Sequence, residues 1–303
     1  MTDESSTLGG TPIDRLFRFR REFLTRILGT GTGVAIAGLA QGNRQAEAQG
    51  AAINDPAILN FALNLEYLEA EFYTHGVSGV GIQSFGIGVN GAGIPGGVII
   101  KPSPQVPFQT PAFQQYAAEI ANDERNHVVF LRKALAAAGI PPVARPAIDL
   151  QNSFNAAAQA AGLGSSFDPF ASEDNFLIGS FVFEDVGVTA YLGAARFIKN
   201  KDYLEAAGGI LAVEAYHAGE IRTLMLARGL SAAAAAISNL RASASGAADD
   251  QGILDGNMHA NIVPTDGNSL VFKRSAQQVL NIVYLGGSGG GGFFPNGLNG
   301  VIR

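Results

Sequence analysis

Apolar residues recur at steps of three and four positions in four long stretches of the chain, which is the period of helices with one buried face. Between the stretches, prolines and glycines mark the expected helix ends. Asn54-Asp55-Pro56 and Ser172 are typical helix caps. The pattern predicts an all-α protein with long helices over about 54–75, 111–138, 172–198 and 202–228.

The segments between and after these helices differ in length and composition. Residues 76–110 are rich in glycine, valine and isoleucine, so we interpret them as an inserted loop with room for a short β-hairpin. Residues 140–172 predict a long crossover with a short helix near 153–161. Residues 231–303 predict a C-terminal extension with one helix over about 269–284, while the alanine- and serine-rich run 232–248 either extends a helix or acts as a spacer. In the glycine-rich tail, Phe293 and Phe294 are available to dock.

Acidic residues interrupt the apolar faces of all four predicted helices. Glu66 and Glu184 do so in the first and third, while the second and fourth contain Glu124-Arg-Asn-His127 and Glu214-Ala-Tyr-His217. Residues three apart share one helix face, so each Glu-x-x-His pair offers a carboxylate and an imidazole to one point. A buried carboxylate is costly unless it is paired or bound to a metal, and few of the 20 Lys and Arg residues fall inside these stripes. We therefore interpret these residues as metal ligands.

The spacing of the glutamates predicts two similar helical hairpins. Glu184 and Glu214 are 30 residues apart, whereas Glu66 and Glu124 are 58 apart. The difference is close to the length of the glycine-rich segment. The first hairpin is thus predicted to resemble the second, with the glycine-rich segment inserted between its two helices.

With these motifs the sequence resembles the ferritin-like superfamily, and more narrowly the bacterial and plant desiccation-related ferritin-like proteins. The similarity is carried by NFALNLEYLEAEFY, DERNH, the Glu184 helix and VLNIVY…GGFFPNGLNG, and it covers nearly all of residues 53–300. It implies a four-helix bundle with a long connection between its second and third helices, and a centre of two Mn or Fe ions. In that centre Glu124 and Glu214 would bridge the ions. Terminal ligands would be Glu66, His127, Glu184 and His217.

Several roles stay open at the level of sequence. Glu69 lies one helical turn after Glu66 and is an alternative ligand, although Glu66 shares its stripe with more apolar residues. Asp123 either orients a ligating histidine or is an exposed helix charge. Tyr73 and Tyr191 each follow a ligand glutamate by seven residues and are either core or redox-active tyrosines.

The remaining histidines, His75 and His259, have no glutamate three residues before them. They are predicted to be surface residues in loops.

Composition and charge narrow the choice of partners. The chain has 303 residues, 47% of them hydrophobic, which is enough for a buried core. Its net charge is −6 and no basic patch appears after the first segment, so nucleic acid is not an expected partner. With no cysteine, disulfides and thiolate metal ligands are excluded.

Residues 1–48 are predicted to be an export signal. Several arginines precede a 14-residue, weakly apolar run from Ile27 to Ala40, and Ala46-Glu47-Ala48 matches a small-x-small cleavage site. Arg20-Arg21-Glu22-Phe23-Leu24 resembles the twin-arginine consensus, so we expect export through that machinery to the periplasm or the extracellular space. The apolar run is short for a membrane span, and an uncleaved anchor is the minor alternative.

Two hypotheses about function follow, and they share the same ligands. One is a redox enzyme whose metal centre reacts with a small oxidant such as peroxide or oxygen. The other is a non-catalytic stress or desiccation protein whose metal is structural or whose site is a relic. The insertion over 76–110 would serve as a lid or an entrance in the first case, or as a contact in a homo-oligomer.

Overall fold

Helices dominate the part of the chain that the structure describes. This computed structural model describes residues 53–303, and the export signal predicted over residues 1–48 lies outside them. Two short strands are present, β1 (Val98–Ile99) and β2 (Ile148–Asp149). The helices are α1 (Asp55–Ser78), α2 (Pro111–Ala137), α3 (Asn152–Ala160), α4 (Glu173–Ala195), α5 (Lys201–Ala227), α6 (Ser231–Ser245) and α7 (Ala276–Val283).

Three of the four long helices begin at a side-chain cap, whereas α2 begins at Pro111 without one. The Asn54 side chain accepts a hydrogen bond from the Ala57 amide, and Ser172 accepts one from the Asn175 amide. Asn200 caps α5 in the same way. These caps satisfy amides that have no partner within the helix, so the sequence locates the helix starts closely.

The long helices form a bundle of two hairpins. Helix α1 packs along α2, and α4 packs along α5, with further contacts between α1 and α4. Helix α4 is long and apolar enough to cross a membrane by composition, but 72% of its most apolar window is buried inside the protein. Among the described residues it is therefore the central core helix. The all-α bundle predicted from the sequence is confirmed.

The insertion does not fold as a separate β-hairpin. Its strand β1 pairs in parallel with β2 of the crossover, with Val98 opposite Ile148. Glycines permit this close approach, because a Cβ atom at Gly91 or Gly96 would overlap the crossover backbone. The two long connections of the bundle are thus held together at one side of it.

The C-terminal extension contains two helices where the sequence predicted one. The alanine-rich run forms α6, and α7 is shorter than expected because the preceding residues turn back in a bridge between Thr265 and Val271. In the tail, Phe293 and Phe294 are buried. The Phe293 ring packs edge-on against Phe154 and Phe183, so the tail completes the core beside α3 and α4.

Candidate metal centre

The six residues that the sequence singles out lie together near the midpoints of the four long helices, and all six are buried. Each helix turns its acidic position inward because neighbours three and four residues away on the same face belong to the core. The set comprises Glu66 from α1, Glu124 and His127 from α2, Glu184 from α4, and Glu214 and His217 from α5.

These side chains form two groups with one shared member. One group contains Glu66, Glu124, His127 and Glu214, the other Glu124, Glu184 and His217, and within each the potential ligand atoms lie within 4.8 Å of one another. The two oxygens of Glu124 face different groups. Its Oε2 is 3.5 Å from His127 Nδ1, and its Oε1 is 3.2 Å from His217 Nδ1. This is the placement of a bridging carboxylate, whereas Glu214 belongs to the first group alone.

Unsatisfied polar atoms show that these residues fit a bound cation. Both carboxylate oxygens of Glu124 and of Glu214 are buried without a hydrogen-bond partner among the described residues, as are Glu184 Oε2 and His217 Nδ1. Such atoms are rare in folded proteins because each loses its hydration without compensation. Cations placed among them would satisfy them together, and a set of carboxylates and imidazoles suits Mn or Fe.

Gly187 on α4 makes room for one of these carboxylates. A Cβ atom at this position would overlap the Glu214 carboxylate. No other residue type could stand there without displacing it, and the sequence analysis missed this requirement. A glycine three residues after a ligand on an apolar helix was the available clue.

Polar side chains outside the two groups hold the candidate ligands in place. His217 Nε2 is 3.2 Å from Asp123 Oδ2, which favours the tautomer whose Nδ1 lone pair faces Glu124 and Glu184. The structure thus places Asp123 in contact with a candidate ligand rather than free on the surface.

The two tyrosines named above have reciprocal partners. Tyr73 of α1 donates a hydrogen bond to Glu184 of α4, and Tyr191 of α4 donates one to Glu66 of α1. The two hairpins therefore contribute to the centre in a pseudo-symmetric way. Both tyrosines therefore contact candidate ligands directly, in addition to packing in the core.

The electrostatics of the cluster follow from burial and from the excess of carboxylates over imidazoles. Burial opposes ionisation of Glu124, but the adjacent imidazoles of His127 and His217 outweigh it and lower the pKa of Glu124 to about 2. Burial likewise opposes charge on the imidazoles, yet the adjacent carboxylates raise the pKa of His127 to about 11 and of His217 to about 12. Burial and then neighbouring carboxylates raise the pKa of Glu214 well above its ordinary value. Without a metal ion the cluster therefore retains protons on its imidazoles and on Glu214, and a bound cation would displace them.

Two further predicted residues have different outcomes. Glu69, the alternative to Glu66, is buried but belongs to neither group of potential ligands. His75 was predicted to lie in a surface loop, and this is wrong. It stands in the last turn of α1, half-buried, with Nε2 3.5 Å from Glu71 Oε2, and burial lowers its pKa to about 4. His259 is exposed, as expected.

A buried network of ion pairs lies beside the centre, and the sequence analysis did not predict it. Asp185, the neighbour of Glu184 on α4, is 2.7 Å from Arg222 and 2.8 Å from Arg241. Asp250 joins Arg241 to Arg274, at 2.8 Å from each. The network ties α4, α5 and α6 to the segment before α7. Its sequence clue was the occurrence of single arginines in otherwise apolar helices.

Comparison with known proteins assigns the family. The ferritin-like domain family matches residues 54–227, which include every residue of the two groups. The chain therefore belongs to the ferritin-like domain family. No solved structure matches significantly.

Two relatives align with most of the chain. Over 252 aligned residues it is 28% identical to the desiccation-related protein PCC13-62 of Craterostigma plantagineum, covering 75% of this chain and 76% of that protein. Over 272 residues it is 26% identical to the ferritin-like catalase Nec2 of Nesocodon mauritianus, covering 82% of this chain and 84% of the relative. The resemblance to desiccation-related ferritin-like proteins is confirmed.

Proposed function

We propose that the protein binds two Mn or Fe ions, with manganese favoured, and that it removes hydrogen peroxide as an exported stress-protection protein. The observation that carries this proposal is the Glu124 carboxylate, buried and without a hydrogen-bond partner between two Glu and His groups. The name of the catalase relative supports peroxide as the substrate. The predicted signal over residues 1–48 supports export.

The chain's own residues would hold and shield the centre. Glu66, Glu124, His127 and Glu214 would hold one ion, and Glu124, Glu184 and His217 the other. Two redox-active ions so held would supply a two-electron relay, by which one hydrogen peroxide is oxidised to dioxygen and its two electrons and two protons reduce a second to two waters.

Residues around the ligands would keep the geometry fixed. Asp123 keeps a proton on His217 Nε2, and Tyr73 and Tyr191 fix the carboxylates of Glu184 and Glu66 by hydrogen bonds. The buried aromatic core limits the volume open to water and favours a small substrate.

The test uses protein produced with excess manganese and compares wild type with Glu124→Ala and Glu119→Ala. Glu119 lies on the same helix but is exposed, so its variant is a matched control. We expect about two Mn per chain and release of oxygen from peroxide for wild type and Glu119→Ala. Glu124→Ala should lose both ions and the activity. Less than about half an equivalent of any transition metal in wild type would contradict the metal assignment.

A non-catalytic role is the second candidate, favoured by the desiccation-related relative and by the unpartnered carboxylates themselves. Metal binding would then stabilise the folded chain, since a bound cation compensates carboxylates that are buried in the folded chain and hydrated in the unfolded one. This role would be supported if the protein contains its full complement of metal and melts at a higher temperature than metal-free protein, but releases no more oxygen from peroxide than free ions do.

A further inference from the structure

A sizeable cavity lies between the bundle and the C-terminal extension. Its volume is about 470 Å³, and helices α3, α4, α6 and α7 contribute most of its walls. The lining is mainly apolar, and Leu163 at its edge is 38% exposed. It is large enough to admit small molecules from solvent. We call it the outer chamber.

A much smaller cavity lies next to it, between α1, α4 and α7. Its volume is about 20 Å³, enough for roughly one small molecule of the size of water. Val182, Ile282 and Phe293 line both this inner chamber and the outer one. The two chambers are therefore neighbours, and these three side chains form the constriction between them.

The inner chamber lies beside the candidate metal centre, although none of the six candidate ligands lines it. Glu69 is the one polar side chain among its lining residues, and Gly187 forms part of its wall. Because Gly187 has no side chain, the Glu214 carboxylate lies directly against that wall. The backbone of Gly187 alone thus separates a molecule in the inner chamber from the Glu214 carboxylate.

We propose that the outer and inner chambers form the access passage to the metal centre, with Val182, Ile282 and Phe293 selecting substrates of the size of hydrogen peroxide. The passage deepens the proposed function and rests on it for the identity of the substrate. Ile282 and Phe293 belong to the C-terminal extension, outside residues 54–227 that match the family. The extension would then limit the size of the substrates that reach the metal centre inside the bundle. The insertion over 76–110 lines neither chamber.

A competing passage leads to the other side of the centre. A cavity of about 20 Å³ beside Tyr73 shares Tyr116, Glu220 and Leu224 with a surface depression. No candidate ligand lines either small cavity, but here the Tyr73 ring, whose hydroxyl donates a hydrogen bond to Glu184, lines the wall, whereas Gly187 in the inner chamber has no side chain to block the way. We therefore favour the passage past Gly187 and use the Tyr73 side as the comparison.

The kinetic test places tryptophan in each passage. Val182→Trp should lower kcat/KM for hydrogen peroxide by at least about tenfold at unchanged metal content, because it fills the constriction. Leu224→Trp, which fills the competing passage, should stay within about twofold. Val182→Ala should raise the turnover of tert-butyl hydroperoxide relative to hydrogen peroxide. A loss in Leu224→Trp with none in Val182→Trp would overturn the proposal.

A second test needs neither metal nor activity. The chain has no cysteine, so a single introduced thiol is labelled uniquely. Val186, which is 5% exposed, lines the inner chamber, whereas Val279, which is 0% exposed, lines neither chamber. In metal-free protein, hydrogen peroxide itself should label Val186→Cys, by oxidising the thiol to the sulfenic acid with release of water, at least about tenfold faster than Val279→Cys. Each rate is taken relative to that in the unfolded chain, and the second site is slow because it requires an opening of the structure.

The two tests separate the passage from the proposed function. Equal labelling rates at the two cysteines would reject the passage even in an active enzyme. Fast labelling of Val186→Cys together with no peroxide turnover in metal-loaded wild type would reject the substrate and keep the passage.

Discussion

At the scale of single residues, the orientation of the candidate ligand His217 depends on a neighbouring side chain that is not itself a candidate ligand. Its Nε2 contacts Asp123 at 3.2 Å, and its Nδ1 lies 3.2 Å from Glu124 and 3.4 Å from Glu184. If the proton moved to Nδ1, the lone pair would point at Asp123 and away from the centre. Asp123 therefore orients the imidazole for a metal without entering either group.

Asp123→Ala should weaken manganese binding by about 10–100-fold, because the imidazole loses the partner that fixes its tautomer. Asp123→Asn should keep most of the affinity, since its amide oxygen still accepts from Nε2. Competitive titration of metal-free protein with a chelator measures both. Equal affinities for wild type and the alanine variant would show that Asp123 has no orienting role.

Glu66 and Glu69 can be distinguished by the same titration. Glu66 lies 3.1 Å from His127 Nδ1 and receives the Tyr191 hydrogen bond, whereas Glu69 lines the inner chamber. Glu66→Gln should lose at least one ion and Glu69→Gln should retain both. The reverse pattern would transfer the ligand role to Glu69.

At the scale of helices and strands, local and long-range interactions differ in how well the sequence predicts them. The long helices start within a few residues of the predicted positions because Asn54 and Ser172 cap them through neighbouring amides. The candidate ligands were found for the same reason, since helical spacing alone puts them on one face. The pairing of β1 with β2 was missed, because it joins residues about fifty positions apart. Gly187 and the buried arginines were missed because their roles depend on neighbouring helices.

The buried ion pairs give a prediction about how these elements stay together. Asp250 accepts hydrogen bonds from Arg241 and Arg274, whose side chains are almost fully buried, so Asp250→Ala leaves two buried charges short of a partner. We expect a loss of about 3–5 kcal/mol in the free energy of unfolding. Asp174→Ala, which breaks an exposed pair with Arg228, should cost about 0–1 kcal/mol.

Chemical denaturation of metal-free protein measures both variants without interference from bound ions. Similar small losses in the two would show that the buried network adds little to stability. A normal metal content in Asp250→Ala, measured separately, would confirm that the centre itself is not disturbed.

At the scale of the whole molecule, the C-terminal extension and the bundle form one core. The bundle supplies the candidate ligands, while α7 and the tail bury Phe293 against Phe154 and Phe183 and close the inner chamber. The sequence marked Phe293 as available to dock, but it could not predict docking against Phe154 and Phe183, because these contacts join residues more than a hundred positions apart. Truncation of the extension would therefore expose the core as well as the proposed passage.

Export in the folded state would fit such a molecule. The twin-arginine route carries folded proteins, so the metal would be acquired before transport, where the cell controls which ion is available.

Replacing Arg20-Arg21 with Lys-Lys keeps the charge but should retain the precursor in the cytoplasm, whereas replacing Arg15 and Arg18 with Lys should still allow export. Wild-type protein from the cell envelope or medium should begin near Gln49, as N-terminal sequencing would show. Soluble cytoplasmic protein with an intact Met1 would contradict export, and exported protein that keeps Met1 would identify residues 1–48 as an anchor.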